Sequence, residues 1–405
     1  MSSNNSKNTA NSVETACIHQ NMMEENSQNQ HMVFNPVYRG STIVFDKYED
    51  FLVSKASKVE NIADIKPYPY YGRAGNPTIH ELSRTISWLE KGDFTVITNG
   101  GMSAVTTAIL SCLSSGDHAI FFDGIYTSTH HFIAGILPKY NITYDICDEF
   151  LEGDLEAKLK PNTKVIFFES CASGTFEVAD IEKIVAFARK HNIITICDNT
   201  MFTPILLNPI EHGVDFVVHS LSKFAMGHAD AMLGSVTTTA KYFKILYDYS
   251  TLIGNHANSE AAYLALRGIK TMPLRVRDSV IRAEKIMNFL QSHPLVKEVL
   301  HPYTFTDDRR KNVEKYCKNG VTGLFGVLLK KKYSAEELAK FFNSLKFFKI
   351  GLSWGGFESL CIDHKLTYRK GKIAKLDEYT YLRMYVGMEN SDDLIADLGE
   401  SLAKL

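Results

Sequence analysis

A single lysine, Lys223, follows a short, mainly apolar run at residues 214–218 and stands beside two hydroxyl side chains, Ser220 and Ser222. The apolar run predicts a buried strand. A lysine at the end of such a strand is poorly solvated, so it loses part of its preference for the charged form. The neutral amine is a nucleophile that can condense with an aldehyde, and the two serines could hold a phosphate. A lysine that merely opens an exposed loop has the same local sequence, so this interpretation depends on residues elsewhere in the chain.

Other predicted strands are also followed by residues that could bind a ligand, namely Gly101, Met102, Tyr126 and Asp198. In open α/β sheets, ligands bind beyond the carboxyl ends of the strands. Glycine at the start of a helix leaves backbone N–H groups for an anion, a carboxylate can keep a pyridine nitrogen protonated, and an aromatic ring can stack on the pyridine. Together with Lys223, these are the groups that pyridoxal phosphate requires.

Each of these residues also has a plainer interpretation. Asp198 could cap the following turn, Tyr126 could pack in the core, and many helices follow a glycine. The prediction of a pyridoxal-phosphate site therefore depends on the occurrence of these residues together. The glycines do not form the G-x-G-x-x-G pattern, which disfavours a nicotinamide oxidoreductase on a similar sheet.

The elements that must position these residues alternate between strand-like and helical patterns from about residue 80 to about residue 257. This alternation predicts an α/β fold with a mainly parallel sheet covered on both faces. After residue 257 helices dominate, with strand-like segments at residues 323–330 and 347–352, which indicates a smaller α+β domain. We therefore predict an N-terminal arm at residues 1–60, partly flexible, a large domain at 61–257 and a C-terminal domain at 258–405.

The composition fits an ordinary globular protein, with 45% hydrophobic and 22% charged residues in a chain of 405. A formal net charge of -2 gives no reason to expect nucleic acid or an anionic membrane as a partner. The seven cysteines are scattered and form no C-x-x-C pair, which favours reduced thiols in a cytoplasm. The first thirty or so residues are rich in Ser, Asn and Gln and lack the features of a targeting signal, so we expect a flexible arm there. Adjacent histidines, His130 and His131, have no third metal ligand at a telling spacing and are expected on a helix surface, so no metal site is predicted.

From about residue 70 to the C-terminus, the sequence resembles the Cys/Met-metabolism family of pyridoxal-phosphate enzymes. Members have the aspartate-aminotransferase-like fold type I, a mostly parallel sheet with a smaller C-terminal domain. The resemblance is carried by motifs in the family's order, which are Tyr71-Gly72-Arg73-x-Gly75-Asn76-Pro77-Thr78, Asp198-Asn199-Thr200, Ser220-x-Ser222-Lys223 with Gly227-His228-x-Asp230, Leu266-Arg267-Gly268-Ile269-Lys270-Thr271, Ser353-Trp354-Gly355-Gly356-Phe357-Glu358-Ser359-Leu360 and Arg383-x-x-Val386-Gly387-x-Glu389.

The resemblance implies roles for residues that local sequence does not assign. Tyr71 and Arg73 resemble residues that reach across a dimer interface to the phosphate of the neighbouring subunit. The active sites would then be shared, and the assembly would be a homotetramer built from dimers. Arg383 resembles the arginine that grips the substrate α-carboxylate in a bidentate fork, and Ser353 and Trp354 would line the same pocket.

The resemblance also suggests a reaction. Ser353-Trp354-Gly355-Gly356 is typical of bacterial cystathionine β-lyases, whereas γ-type members more often have leucine in place of the tryptophan and frequently a glutamate where Leu352 stands. We therefore expect β-elimination of L-cystathionine to homocysteine, pyruvate and ammonia, with Lys223 and Tyr126 as proton-transfer groups. Three departures from the family, which are Ser222 in place of threonine, Thr251 where β-lyases often have tyrosine and Leu352 in place of a tyrosine, lie near the distal end of the substrate and bear on the substrate more than on the reaction type. Other reactions of the family also stay open. These are γ-elimination from cystathionine or methionine, γ-synthesis, cysteine desulfhydration and, remotely, cofactor binding without catalysis.

Overall fold

A computed structural model describes residues 12–19, 33–66, 69–148, 153–365 and 378–405. Its helices are α1 (Val13–His19), α2 (Tyr48–Ala56), α3 (Pro77–Leu89), α4 (Gly101–Ser111), α5 (Thr127–Gly135), α6 (Asp154–Ala157), α7 (Ile181–Lys190), α8 (Thr203–Leu206), α9 (Phe243–Leu252), α10 (Ser259–Ile269), α11 (Met272–Ser292), α12 (Arg310–Tyr316), α13 (Ala335–Ser344) and α14 (Ser391–Leu402). Its strands are β1 (Phe94–Thr98), β2 (His118–Phe122), β3 (Thr143–Cys147), β4 (Thr163–Glu169), β5 (Ile194–Asp198), β6 (Phe216–Ser220), β7 (Gly234–Thr238), β8 (Val296–Leu300), β9 (Leu324–Leu329), β10 (Leu360–Asp363) and β11 (Tyr381–Tyr385).

The large sheet confirms the predicted α/β class. Within the described residues it has seven strands in the order β1-β7-β6-β5-β4-β2-β3. Strands β3, β2, β4, β5 and β6 are mutually parallel, whereas β7 runs antiparallel to both of its neighbours, β1 and β6. Strands β1, β2 and β7 are buried along their whole length, since helices cover both faces of the sheet. The carboxyl ends of the parallel strands therefore meet at one edge of the sheet.

A second sheet lies in the C-terminal part of the chain. It is antiparallel, in the order β10-β11-β9-β8, and its buried side chains pack with those of α11, α13 and α14. This arrangement agrees with the predicted smaller α+β domain. The expected strand at residues 347–352 was wrong, because that segment contributes only an isolated bridge between Lys349 and Leu360. Phe348 is the only buried residue of that segment, while Phe347, Ile350 and Leu352 are exposed, so no continuous buried face holds the segment in a sheet.

Part of the expected flexible arm is a packed helix. In α1, Ala16 and Cys17 are buried against the body of the protein. Glu14 pairs with Arg277, and the Lys270 Nζ donates to the carbonyl oxygen of Ile18 at 2.6 Å. Residues 13–19 of the expected flexible arm therefore form a packed helix, while residues 1–11 and 20–32 lie outside the described residues.

All seven cysteines lie in the described part of the chain as free thiols, six of them buried and one, Cys112, half-buried. Burial raises the pKa of Cys17, Cys112 and Cys317 to about 12, so these thiols remain protonated at neutral pH. Among the helices of the described residues, none combines the length and apolar character needed to span a membrane.

Candidate active site

A cavity of about 400 Å³ opens where the carboxyl ends of the parallel strands face the C-terminal sheet. It gathers most of the residues that the sequence nominated, although they come from both parts of the chain. Those that line it are Gly101, Met102, Tyr126, Asp198, Ser220, Ser222, Lys223, Ser353, Trp354 and Arg383.

Lys223 projects from the turn that follows β6. Its Nζ donates to the Ser353 Oγ at 2.9 Å and lies 5.3 Å from the centroid of the Trp354 ring. Burial and, to a smaller extent, the positive charge of Arg383 lower the pKa of Lys223 to about 8, while Glu358 opposes the shift. A substantial fraction of the amine is therefore neutral, and nucleophilic, near physiological pH.

The start of α4 packs closely against the end of β6. A Cβ atom at Gly101 would lie 2.7 Å from the Ser220 Cβ, so only glycine fits at this position without a shift. The first turn of α4 thereby lines the cavity, where its backbone N–H groups have no partner within the helix. Such a helix start, next to the Ser220 hydroxyl, provides an anion site.

The Ser222 hydroxyl is already engaged with the backbone of Leu233. It donates to the Leu233 carbonyl oxygen at 3.2 Å and accepts from the Leu233 N–H at 3.0 Å. These bonds tie the turn that carries Lys223 to the start of β7. Ser222 also lines the cavity, so the hydroxyl has both a structural contact and access to a ligand.

Asp198 ends β5 and is held by Thr200. The Asp198 Oδ1 accepts from the Thr200 backbone N–H at 2.9 Å and from the Thr200 Oγ1 at 2.5 Å. The same Thr200 Oγ1 accepts from the Ser220 backbone N–H at 2.9 Å, so one hydroxyl joins the ends of β5 and β6. Burial raises the pKa of Asp198, and the Thr200 hydrogen bonds oppose that shift. A protonated ring nitrogen beside Asp198 would favour the ionised carboxylate further.

Tyr126 stands at the start of α5 with its ring at the cavity and 46% of its surface exposed. Its backbone N–H donates to the Glu169 Oε1 at 2.5 Å, which fixes the main chain there. The expectation that His130 lies on a helix surface was wrong. His130 is buried, lines the cavity and makes a 3.1 Å hydrogen bond between its Nε2 and the Asp123 carbonyl oxygen.

Arg383 approaches the cavity from β11, opposite Gly326 of β9. Its Nη2 donates to the Ser353 carbonyl oxygen at 3.4 Å. Burial lowers the pKa of Arg383, although an arginine remains protonated at neutral pH. The Trp354 ring packs 5.6 Å from the Phe224 ring, which ties the wall beside Arg383 to the turn that carries Lys223.

Two of the nominated residues, Tyr71 and Arg73, do not reach this cavity. Both are exposed, and the Arg73 guanidinium lies 5.8 Å from the centroid of the Tyr71 ring. The Arg73 Nη1 donates to the Thr251 carbonyl oxygen at 3.3 Å. That Tyr71 and Arg73 bind the cofactor phosphate of a neighbouring subunit therefore stays a prediction.

The cavity fits pyridoxal phosphate by the groups that it brings together. It offers an amine with a lowered pKa, an anion site where a Cβ atom would collide, a carboxylate held by two hydrogen bonds and an aromatic ring at the rim. Thr200 was not assigned a role from the sequence, although it lies in the Asp198-Asn199-Thr200 motif. Among the described residues, no group of three or more His, Cys, Asp or Glu side chains is arranged to hold a metal ion.

Comparisons with known proteins identify the family. The sequence model of the Cys/Met metabolism PLP-dependent enzymes matches residues 14–403. The chain is 33% identical over 384 residues to an L-alanine/L-glutamate racemase of Wolbachia pipientis, which covers 91% of this chain and 92% of the relative. It is 32% identical to the cystathionine beta-lyase of Escherichia coli, covering 91% and 93% of the two chains.

Solved structures share the fold. A Campylobacter jejuni protein, assigned as an O-acetylhomoserine (thiol)-lyase and carrying a pyridoxyl-lysine phosphate, superposes with a TM-score of 0.86 at 27% identity, covering 97% of this chain and 100% of the other. A cystathionine gamma synthase of Xanthomonas oryzae superposes with a TM-score of 0.86 at 24% identity, covering 98% and 99%. The architecture is therefore that of the fold type I enzymes, and the cofactor is pyridoxal phosphate. The chain belongs to the Cys/Met metabolism family of PLP-dependent enzymes.

Proposed function

We propose that this enzyme catalyses β-elimination from amino acids that carry sulfur at Cβ, with L-cystathionine as the substrate and homocysteine, pyruvate and ammonia as the products. This reaction would place the enzyme in methionine biosynthesis. The observation that carries the proposal is the Lys223 amine, with a pKa of about 8, in one cavity with the Arg383 guanidinium. A base for the Cα proton and an anchor for the α-carboxylate then act on the same substrate.

The cofactor would be held by residues from the ends of the parallel strands. Lys223 would hold its aldehyde carbon, and Asp198 would pair with its ring nitrogen. The phosphate would bind at the anion site formed by Gly101, Met102, Ser220 and Ser222, and Tyr126 would cover the ring. When bound, pyridoxal phosphate supplies an electron sink for negative charge at the substrate Cα.

The substrate would be oriented from the C-terminal sheet. Arg383 would bind the α-carboxylate through its two parallel N–H groups, a geometry that lysine cannot reproduce. Ser353 and Trp354 would complete that side of the pocket and exclude water. With the carboxylate fixed, the Cα–H bond can be directed at the Lys223 Nζ.

Two proton transfers accompany cleavage of the Cα–H and Cβ–S bonds, and water then converts the remaining three-carbon fragment to pyruvate and ammonia. The neutral Lys223 Nζ would accept the Cα proton, for which a pKa near the working pH is favourable. Loss of the substrate sulfur as a thiolate then requires a proton donor, either the protonated Lys223 Nζ or the Tyr126 hydroxyl. Both groups line the same cavity.

The assembly that we propose is a homotetramer of dimers in the cytoplasm. Tyr71 and Arg73 lie outside the cavity of their own chain, and both are exposed. They would reach the phosphate in the neighbouring subunit. The active sites would then be complete only in the dimer.

A second candidate is amino-acid racemisation, which the 33% identity to an L-alanine/L-glutamate racemase favours. Racemisation would also begin with removal of the Cα proton by Lys223, and it would end with return of a proton to the opposite face. The γ-lyase and γ-synthase reactions are further alternatives, since they also start at Cα.

The products separate these candidates. The cofactor-loaded enzyme would be incubated with L-cystathionine and, separately, with L-alanine and L-glutamate. Release of homocysteine and pyruvate from cystathionine, without D-amino acids from the other two, supports the lyase. Rapid formation of D-alanine or D-glutamate without pyruvate would replace it with the racemase.

A further inference from the structure

Two basic residues at the mouth of the cavity, His364 and Lys365, take no part in the reaction described so far. Both line the same cavity as Arg383 and Ser353, yet they follow β10 and belong to none of the family motifs in this sequence. We propose that His364 and Lys365 form a second anion site that binds the distal carboxylate of a dicarboxylic amino-acid substrate. This inference rests on the proposed function and names the substrate class of the same site.

The position of His364 follows from the pairing of β10 with β11. Ile362 lies opposite Arg383, and the His364 backbone N–H donates to the Tyr381 carbonyl oxygen at 2.9 Å. Residues two apart on a strand share a face, so His364 lies on the Arg383 face of the sheet, about 7 Å further along the strand. Asp363 lies between Ile362 and His364, so by the same alternation it belongs to the other face of the sheet.

The His364 ring is positioned by Tyr381. The two rings meet edge to face with their centroids 5.6 Å apart. The Tyr381 hydroxyl in turn donates to the carbonyl oxygen of Gly174, which lines the cavity from the large-sheet side. The imidazole therefore rests on a ring that bridges the two sheets, so its place at the cavity is fixed.

The charge distribution in the cavity favours a second anion at this end. The acidic lining residues Asp123, Glu169 and Asp198 all lie at the carboxyl ends of strands of the large sheet. Asp198 is bound by Thr200, and Glu169 accepts from the Tyr126 N–H. The C-terminal side of the cavity contributes no acidic side chain among the described lining residues, and it carries Arg383, His364 and Lys365.

The separation between Arg383 and His364 along the sheet suits a substrate with a carboxylate at each end. Arg383 would take the α-carboxylate, and a short thioether chain would carry the second carboxylate toward His364 and Lys365. Cystathionine has this form, whereas cysteine and alanine do not. A charge-assisted hydrogen bond at the distal end would therefore discriminate between the two substrate classes.

The test compares two non-sulfur amino acids of equal length, L-2-aminosuberate and L-2-aminooctanoate. The first places a carboxylate as many bonds from Cα as cystathionine does, and the second replaces that carboxylate with a methyl group. Binding to the cofactor-loaded enzyme is followed by the absorbance of the cofactor, so no turnover is needed. The readout is the ratio of the two dissociation constants.

We expect the wild-type enzyme to bind aminosuberate at least about tenfold more tightly than aminooctanoate. The double variant His364→Phe with Lys365→Met, which keeps a ring against Tyr381, should bring the ratio close to one. Lys365→Arg should retain most of the preference. The matched control is Lys340→Met, an exposed lysine of α13 outside the cavity, which should keep the wild-type ratio.

A wild-type ratio near one, or a preference that survives the double variant, would overturn the distal-carboxylate site. Failure of the proposed lyase would look different, because cystathionine would then yield no pyruvate even though the binding ratio is still measured. High salt offers a further check: because Lys365 is exposed, the preference should decline as ionic strength rises.

Discussion

The Lys223 Nζ donates to the Ser353 Oγ at 2.9 Å, although the two residues are 130 positions apart in the chain. Lys223 follows the last parallel strand of the large sheet, and Ser353 belongs to the segment between α13 and β10. The reactive amine is therefore positioned by contact between the two halves of the protein. A change that separates these halves should affect the amine even where no nearby residue is altered.

The clamp on the α-carboxylate is tested by Arg383→Lys. Lysine keeps the positive charge but cannot form two parallel hydrogen bonds to a carboxylate. We expect kcat/KM to fall about 100-fold or more, because the Cα–H bond is no longer held toward Lys223. Steady-state kinetics with cystathionine would measure this loss, with Lys340→Met as the control. Near-normal kinetics would remove Arg383 from the proposed mechanism.

The lowered pKa of Lys223 predicts a pH dependence for cofactor attachment. The amine has a pKa of about 8 in place of 10.5, so its neutral fraction rises as the pH rises through 8. Incorporation of pyridoxal phosphate into the apoprotein should therefore accelerate about tenfold per pH unit below that value and level off above it. The rate would be measured by borohydride trapping and peptide mapping at Lys223.

The control for this profile is Arg383→Leu. Removal of the positive charge beside Lys223 raises the pKa of the amine, so the variant should incorporate the cofactor more slowly than the wild type at pH 7.5. Comparison at one pH cancels the titration of the cofactor itself. Equal rates, or a wild-type midpoint near the ordinary lysine value, would contradict the burial and charge effects assigned here.

The close packing of α4 against β6 is tested by Gly101→Ala. Its Cβ atom would lie 2.7 Å from the Ser220 Cβ, so we expect the free energy of unfolding of the apoprotein to fall by about 1–3 kcal/mol. The matched control is Gly100→Ala, since a Cβ atom there meets no atom within 4 Å. Denaturant unfolding without the cofactor isolates the packing effect. Equal stability of the two variants would show that the contact is relieved without cost.

The link between the ends of β5 and β6 is tested by Thr200→Val. This change removes the hydroxyl that donates to Asp198 and accepts from the Ser220 N–H. We expect the dissociation constant for pyridoxal phosphate to rise about tenfold, because both the carboxylate and the anion site lose a support. Fluorescence titration of the apoprotein with pyridoxal phosphate would measure this dissociation constant. Thr200→Ser, which retains the hydroxyl, should behave like the wild type, and failure of that rescue would argue against the hydrogen bonds as the cause.

The large sheet could be predicted well from the sequence, because its central strands are short, apolar and covered on both faces. The runs at residues 94–98 and 118–122 are short and mainly apolar, and they form β1 and β2 with those bounds. Strand β3 was missed, since it lies at the edge of the sheet and is only partly buried, so it has no continuous apolar run. Strands β8, β10 and β11 were missed as well.

Local capping chemistry was predicted in part. Ser334 precedes Ala335, Glu336 and Glu337, a pattern typical of an N-cap, and its Oγ accepts from the Glu337 N–H at 3.2 Å in a capping box. Ser391 precedes Asp392 and Asp393, a pattern typical of an N-cap, but the cap of α14 is Asn390, whose Oδ1 accepts from the Asp392 N–H at 2.8 Å. Both residues suit the position, and local sequence alone does not choose between neighbours.

The residues of the candidate site could likewise be predicted only where a local sequence pattern marks them. Lys223 and Asp198 could be nominated because each directly follows a recognisable strand. The double role of Thr200 and the place of His364 beside the cavity depend on which strands are neighbours and in what register. Those pairings join residues far apart in the chain, so no local pattern reports them.

The central claim is β-elimination by Lys223, and the keto acid released from L-cystathionine by the cofactor-loaded enzyme tests it most directly. The account predicts pyruvate together with homocysteine, and a loss of at least about 1,000-fold in the cofactor-loaded Lys223→Ala variant. Release of 2-oxobutyrate, or full turnover by Lys223→Ala, would contradict it.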